Sequence, residues 1–180
     1  DLDREFHEHE AYLAGLILTD GSMSEIDGIR FFNAHKELHE AFPGDSPLRP
    51  DGTGCYQQTV LDDARMYAFN GLGIPFEDRT AGPIDLSAVY QMPTEYVARF
   101  LAGVIDGDGS VGPIVTVTAE SESIGDWYVR LFKRLGVYAE RDESTVRIPD
   151  AERDCSTLRE QVWPHMRHPE KVDRLVGLSG

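Results

Sequence analysis

The chain has 180 residues, of which 41 % are hydrophobic and 27 % are charged. This length fits one domain or two small packed halves, and the apolar content is enough for a buried core, which excludes a disordered chain. The 32 acidic and 17 basic residues give a formal net charge of −15. Taken alone, that charge argues against a polyanionic partner such as DNA.

The sequence predicts a soluble cytoplasmic protein with no membrane partner. No apolar run reaches the roughly 18 to 20 residues of a membrane span, and the opening "DLDREFHEHE" is too acidic for a signal or transit peptide. Cys55 and Cys155 have no CxxC spacing, so neither a disulfide framework nor a zinc site is supported.

The types and positions of the charged residues weaken the argument against a DNA partner. The bases are fourteen arginines and only three lysines, and the acids are spread along the chain. Such an acidic, lysine-poor surface resembles that of halophilic proteins. Concentrated salt screens repulsion beyond a few ångströms, so the placement of arginines matters more than net charge. An ordinary acidic cytosolic enzyme is the alternative.

The first half of the chain predicts helix, two strands, helix, two strands and helix. A helical pattern, "EHEAYLAGLILTDG", stops at glycine, and the β-rich run "IDGIRFF" and a short helix over 33–42 follow it. The turn-rich "PGDSPLRPDGTG" surrounds short strands and leads into "CYQQTV" and a helix over 61–70.

The second half repeats that order after a linker, "PFEDRTAGPIDLSAVYQMP". It contains the helical "PTEYVARFLAGVIDGDG", the strand "PIVTVTA", a helix over 123–135, the hairpin "VYAERD" and "TVRIP", and a helix over 151–165. "WPHMRHPEK" is interpreted as a break between two terminal helices. We expect an N-terminal half at 1–80, a linker at 81–93 and a C-terminal half at 94–180.

One ten-residue stretch occurs twice in nearly the same form, as "LAGLILTDGS" at 13–22 and "LAGVIDGDGS" at 101–110. Small residues in these helices permit close packing of one helix on the other. The residues expected at that interface are Ala14, Gly15, Ala102 and Gly103. If the two helices pack together, their ends bring Asp20 and Asp108 together although they are 88 positions apart.

Two carboxylates at the negative ends of helix dipoles repel each other, and a divalent cation resolves that conflict. Mg²⁺ usually takes one or two carboxylates together with phosphate oxygens, and it can activate water against a phosphodiester. A metal site at Asp20 and Asp108 would be suited to metal-assisted phosphoryl hydrolysis. His35 and His39 are four apart on the short helix and are interpreted as a surface pair.

These paired motifs resemble the LAGLIDADG homing endonucleases in their monomeric two-repeat form, found in archaeal introns and inteins. The resemblance implies an α+β fold of two pseudo-symmetric αββαββα halves, whose antiparallel sheets form a DNA-binding saddle with the motif helices at the central interface. It also implies a monomer, cleavage of both strands of a long asymmetric target, and an intracellular, nucleoid-associated location. Asp20 and Asp108 occupy the family's catalytic positions, and the carbonyls of Thr19 and Gly107 are the implied further ligands to Mg²⁺, which Mn²⁺ or Ca²⁺ can replace.

The chain departs from the family pattern in two places. Leu18 stands where the second copy has Asp106, which leaves the implied metal ligands intact. Related enzymes often place Gln or Lys near the end of the second strand of a half. The corresponding positions here hold Asn33 with Ala34, and Ala119 with Glu120, with Gln57 and Gln58 as substitutes for that role.

Sheet residues that face away from the helices must reach base edges and phosphates, with Arg favouring guanine and Gln or Asn favouring adenine. Each of them is alternatively a solvated strand residue or an ion-pair partner. The expected DNA contacts are Arg30, Asn33, Arg49, Gln57, Gln58, Thr116, Thr118, Arg141 and Arg147.

Two other functions remain open. A degenerate LAGLIDADG module would bind nucleic acid without cutting it, as an RNA maturase or a scaffold. An unrelated metal-dependent hydrolase of small phosphorylated substrates would instead need a closed pocket. The chain lacks an N-terminal Cys or Ser and a C-terminal His-Asn, so we expect it not to be a complete self-splicing intein. A free-standing intron-encoded enzyme and an endonuclease domain from an intein both fit.

Overall fold

The computed structural model describes residues 2–44, 46–76 and 82–177. Within these ranges the chain forms eight α-helices and two four-stranded antiparallel sheets. The elements before residue 80 are α1 (Leu2–Asp20), β1 (Gly21–Ser24), β2 (Gly28–Asn33), α2 (Lys36–His39), β3 (Arg49–Pro50), β4 (Tyr56–Val60) and α3 (Asp63–Gly71).

The later elements repeat this order, with additional helices. They are α4 (Ser87–Tyr90), α5 (Thr94–Asp108), β5 (Gly109–Ser110), β6 (Val115–Thr118), α6 (Glu122–Arg134), β7 (Glu140–Asp142), β8 (Thr145–Ile148), α7 (Ala151–Thr157), a π-helix (Leu158–Val162), a 3₁₀ turn (Trp163–His165) and α8 (Pro169–Gly177). The predicted α+β class with two repeated halves is confirmed. The division at residues 80 and 93 stays a prediction, and residues 77–81 lie outside the described ranges.

Both sheets have the same strand order, β1-β2-β4-β3 in the first and β5-β6-β8-β7 in the second. Ile29 pairs with Val60 in the first sheet and Val117 pairs with Val146 in the second, and all four side chains are buried. Because side chains alternate along a strand, the residues between these face away from the core. Each sheet therefore covers the helices with one face and leaves the other face exposed, and that outer face is mainly polar, with Phe32 as an apolar exception.

Two predicted helices and the predicted linker differ from the structure. The helix expected over 33–42 is only the four residues of α2, because β2 continues to Asn33. The helix expected over 151–165 changes into a π-helix and a 3₁₀ turn, and Pro164 in that turn has no amide hydrogen to donate within a helix. The expected linker contains α4. The break before a second terminal helix is present as predicted.

The two motif helices, α1 and α5, pack directly on each other through Gly15 and Gly103. A Cβ atom at Gly15 would overlap the carbonyl oxygen of Phe100 and lie 2.9 Å from the amide nitrogen of Val104. A Cβ at Gly103 would overlap the carbonyl oxygen of Tyr12 in the symmetric way. The two backbones are therefore in contact, and a side chain at either position would separate them.

The apolar core surrounds this helix pair, and Leu13, Leu16, Leu101 and Val104 are each fully buried. Within the described part of the chain, no helix combines the length and the apolar character that crossing a bilayer requires.

Substituting Gly103 with alanine tests the contact between the helices. Gly103→Ala should lower the free energy of unfolding by about 3 kcal/mol, the upper end of over-packing costs, because the added methyl meets backbone atoms that cannot rotate away. Chemical denaturation measures this change. Gly71→Ala is the control, since nothing lies within 4 Å of a Cβ there. An equal effect of the two substitutions would contradict the packing described.

Candidate functional site at the ends of the paired helices

The C-terminal ends of α1 and α5 meet, and each helix ends in an aspartate. A Cβ at Gly107 would overlap the side-chain oxygen of Thr19 and lie 3.4 Å from Oδ2 of Asp20. Asp108 follows Gly107 and is the last residue of α5, as Asp20 is of α1. The repeated aspartates are therefore brought to one place.

Asn33, at the end of β2, holds the carboxylate of Asp20. Its Nδ2 donates to Asp20 Oδ2 at 2.7 Å, and its own Oδ1 accepts from the amide of His35 at 2.8 Å. Nε2 of His39 lies 3.1 Å from the backbone oxygen of Asn33. His39 is only 1 % exposed, so the interpretation of His35 and His39 as a surface pair is wrong for His39. The sequence predicted Asn33 as a DNA contact, whereas the structure places it against Asp20.

Lys171, on α8, lies at the end of α5, where the motif pattern predicts no lysine. Its Nζ donates to the carbonyl oxygens of Ile105 at 2.8 Å, Asp106 at 2.6 Å and Gly107 at 3.1 Å. Burial lowers the pKa of Lys171, and the carboxylates of Asp106, Asp20 and Asp108 oppose that change. This ammonium therefore lies within electrostatic range of the carboxylates of Asp106, Asp20 and Asp108.

The sequence carries little signal for this position of Lys171. The residue is one of only three lysines, but it lies more than sixty positions from the motif that it contacts.

Asp106, at the motif position where the two copies differ, is a fully buried carboxylate. Its Oδ2 accepts from the hydroxyl of Tyr12 at 2.7 Å and from the amide of Arg167 at 2.6 Å. Burial raises the pKa of Asp106, and these two hydrogen bonds act in the opposite direction. Asp106 thus joins α1, α5 and the segment before α8 and does not point into the space between the helix ends.

The repeat explains why the first copy can have leucine at this position. Positions 88 residues apart correspond, so Tyr12 and Asp106 are related by the repeat to Phe100 and Leu18. Phe100 and Leu18 are both buried in the apolar core. The hydrogen bond between Tyr12 and Asp106 links the two halves, and the repeat-related positions hold apolar side chains instead.

His168 packs beside this cluster, with its ring centroid 3.9 Å from that of His35. Its Nδ1 accepts from the amide of Lys171 at 3.4 Å. Burial, together with the nearby ammonium of Lys171, lowers the pKa of His168 from 6.5 to about 4. The contact with His35 ties the C-terminal segment to the first half of the chain.

The oxygen donors at the helix ends fit a hard divalent cation with substrate or water as its remaining ligands. No group of three or more His, Cys, Asp or Glu side chains in the described residues forms a complete metal cage. Mg²⁺ commonly uses one or two carboxylates together with phosphate oxygens and water. Asp20 and Asp108 can supply the carboxylates. The carbonyl oxygen of Gly107 already accepts from Lys171. The hydroxyl of Thr19 is bonded within α1, to the carbonyls of Gly15 at 3.2 Å and Leu16 at 3.0 Å.

The outer face of the first sheet carries some, but not all, of the expected DNA contacts. Arg30 pairs across the sheet with Thr59, and Arg49 pairs with Gln57 at the edge strand. These residues are at least partly exposed. Gln58 instead faces the helices, is 4 % exposed, and its Nε2 lies 3.5 Å from the Ser46 carbonyl. Its burial leaves Gln58 unable to reach a ligand on the outer face.

On the second sheet, Thr116 pairs with Arg147 on the outer face, and Thr118 lies on the same face. Arg147 forms an ion pair with Asp142. Arg141 lies opposite Val146 and faces inward, where its Nε donates to Asp126 of α6 at 2.8 Å. The β7–β8 hairpin thus presents Arg147 on the outer face, whereas Arg141 faces inward and holds α6.

Solved structures share the fold of this chain, and one curated protein is similar to it in sequence. No protein-family model matches the chain. A protein of Methanopyrus kandleri that is named as part of an A-type ATP synthase is 35 % identical over 176 residues, which cover 93 % of this chain and 17 % of that protein. The chain therefore spans about a sixth of the curated relative that it matches.

Two kinds of solved structure share the fold. I-DmoI, a homing endonuclease solved in complex with DNA and Mn, superposes with a TM-score of 0.61 at 14 % identity, over 87 % of this chain and 96 % of that one. Full-length WhiA from Thermotoga maritima superposes with a TM-score of 0.58 at 15 % identity, over 95 % and 60 % of the two chains. The N-terminal domain of WhiA is a LAGLIDADG domain. The chain therefore has the LAGLIDADG fold.

The lowered pKa of His168 predicts a pH-dependent stability. Between pH 6.5 and about 4, the unfolded chain binds a proton at this residue that the folded chain does not. This contribution to stability is therefore complete above pH 6.5 and is lost as the pH falls through that window. His168→Gln should flatten the fall in melting temperature between pH 7 and pH 4, measured by calorimetry. His165→Gln is the control, and an unchanged slope in His168→Gln would contradict the assignment.

Proposed function

We propose that this protein is a site-specific DNA endonuclease that cuts both strands of a long asymmetric target by divalent-metal-dependent hydrolysis. The observation that carries the proposal is the meeting of Asp20 and Asp108 at the ends of two paired helices, each followed directly by one of the two repeated sheets. The shared fold with I-DmoI, which is solved with its target DNA and with Mg, Mn or Ca, supports it. A pseudo-twofold arrangement of two carboxylates matches the two strands of a duplex.

Each aspartate would serve one strand of the duplex. Asn33 donates to Oδ2 of Asp20 and so fixes the orientation of that carboxylate. Asp20 and Asp108, with the carbonyl of Thr19, would hold the ion; the Gly107 carbonyl is shared with Lys171. A bound Mg²⁺ would polarise the phosphodiester and activate a water nucleophile. Mn²⁺ or Ca²⁺ would occupy the same oxygen ligands.

The outer faces of the two sheets would follow the DNA. Arginine and glutamine on these faces suit guanine and adenine edges, and threonines suit backbone or base contacts. The side chains proposed for this surface are Arg30, Arg49, Gln57, Thr116, Thr118 and Arg147. In a salt-rich cytoplasm the net charge of −15 would be screened, so local placement would determine binding.

We also propose that the protein acts inside the cell as a monomer, from a salt-loving archaeal source. The match to a sixth of a longer protein named for another activity supports a module carried within a host gene. An intein-borne domain fits that observation more directly than a free-standing intron-encoded enzyme. The uninterrupted form of the host gene would then contain the target sequence.

The similarity to WhiA favours a second candidate function. WhiA contains the same fold but is not named as a nuclease. The second candidate for this chain is a module that binds DNA or RNA without cutting, such as an RNA maturase. Incubating the protein with the uninterrupted allele and Mg²⁺ separates the two functions, because binding without cutting supports the module.

Replacing either motif aspartate should abolish cleavage and leave DNA binding. Asp20→Asn and Asp108→Asn each remove a charged metal ligand, and cleavage of both strands should fall at least about a hundredfold, a typical effect of losing one electrostatic stabiliser. Linearisation of a plasmid carrying the uninterrupted allele measures the rate. Asp63→Asn, on an exposed face of α3, should cut normally. Undiminished cutting by Asp108→Asn would refute the assigned role.

The two arginines of the β7–β8 hairpin provide a matched test of the DNA surface. Arg147→Ala should weaken binding by about tenfold and reduce the salt dependence by about one charge, since Arg147 faces outward. Fluorescence anisotropy with a cleavage-deficient Asp108→Asn background measures both quantities. Arg141→Ala should leave affinity unchanged and lower stability, because Arg141 holds α6. Equal losses of affinity would show that the outer face is not the binding surface.

A further inference from the structure

Lys171 is fixed at the helix ends by contacts on both sides of it. Its ammonium donates to three successive carbonyls of α5, and the preceding segment is held by the Arg167 amide on buried Asp106. His168 is 6 % exposed and contacts His35 of the first half. The lysine is therefore not a mobile surface side chain that leaves the site at little cost.

This position brings a fixed positive charge to the place where a divalent cation would bind. A magnesium-like ion on the Gly107 carbonyl would lie about 2.1 Å from that oxygen. Nζ of Lys171 lies 3.1 Å from the same oxygen. The two cations would then be no more than about 5 Å apart, a separation at which like charges repel strongly in a partly buried site.

We propose that Lys171 is a tethered cation of this site, which competes with the divalent metal for the α5 end and so restrains metal binding there. The proposal rests on the proposed metal-dependent function, and it makes Lys171 a positioning residue. The ammonium neutralises the carboxylates and helix carbonyls when no metal is bound. It also biases a bound metal toward Asp20, which Asn33 holds.

Metal binding without DNA tests this inference. Mn²⁺ is titrated into the intact protein at neutral pH and low salt, and the free-ion electron paramagnetic resonance signal gives affinity and stoichiometry. Lys171→Met should bind Mn²⁺ at least about tenfold more tightly than the wild type, or bind one additional ion, because a unit charge within a few ångströms is removed. Lys171→Arg keeps the charge and should bind as the wild type does.

Lys133→Met is the matched control for net charge. Lys133 is exposed on α6, and its loss changes the formal charge of the chain by the same amount. It should leave the Mn²⁺ affinity within about twofold of the wild type, since an exposed distant charge is screened. Lys171→Met also removes the donor to three carbonyls and is expected to lower the melting temperature. A purely structural role would lower that temperature without tightening Mn²⁺ binding.

The outcomes separate this inference from the proposed function. Weaker or unchanged Mn²⁺ binding by folded Lys171→Met overturns the tethered-cation role, and so does equal tightening in Lys133→Met. If Lys171→Met does not fold, weaker Mn²⁺ binding by Lys171→Arg than by the wild type is the overturning result. If Asp20→Asn and Asp108→Asn do not change Mn²⁺ binding, the proposed metal site itself fails.

Discussion

The backbone contact between α1 and α5 determines where the other parts of the molecule lie. Because Gly15 and Gly103 have no side chains, the two helices touch through carbonyl and Cα atoms, and their ends meet at Thr19 and Gly107. Each sheet follows its helix directly, so the helix contact also sets the relation of the sheets. The positions of Asp20 and Asp108 therefore depend on two glycines that contribute no side chain.

Bringing two helix C-termini together concentrates negative charge, and the chain offsets that charge with neighbouring groups. Asn33 donates to Asp20, the ammonium of Lys171 covers the carbonyls of α5, and the hydroxyl of Tyr12 donates to one oxygen of buried Asp106. The last residues of α1 and α5 keep the aspartate in both copies. The sixth motif position, in contrast, is leucine in the first copy and Asp106 in the second. Asp106 is therefore a structural acid, unlike the aspartates that both copies keep.

Features set by local pattern could be predicted from the sequence, and features set by long-range packing could not. The repeated small residues and aspartates predict the helix pair because both requirements recur within ten residues. The inward orientation of Arg141 depends on strand register, and one position of slip reverses every side chain along a strand. Lys171 has no periodic signal, since its position follows from how the terminal segment returns across the helices after an irregular π and 3₁₀ turn.

Arginines on the outer faces of the two sheets are themselves paired with acidic side chains. Arg30 is paired with Asp27 at 2.8 Å and Arg147 with Asp142, and all four side chains are at least 39 % exposed. A DNA phosphate would have to displace these carboxylates, so in dilute salt the acids compete with the ligand. Exposed ion pairs contribute little, and high salt weakens them further. Displacement would then cost less, so the proposed DNA-facing role of these arginines is compatible with a strongly acidic chain if the protein works in concentrated salt.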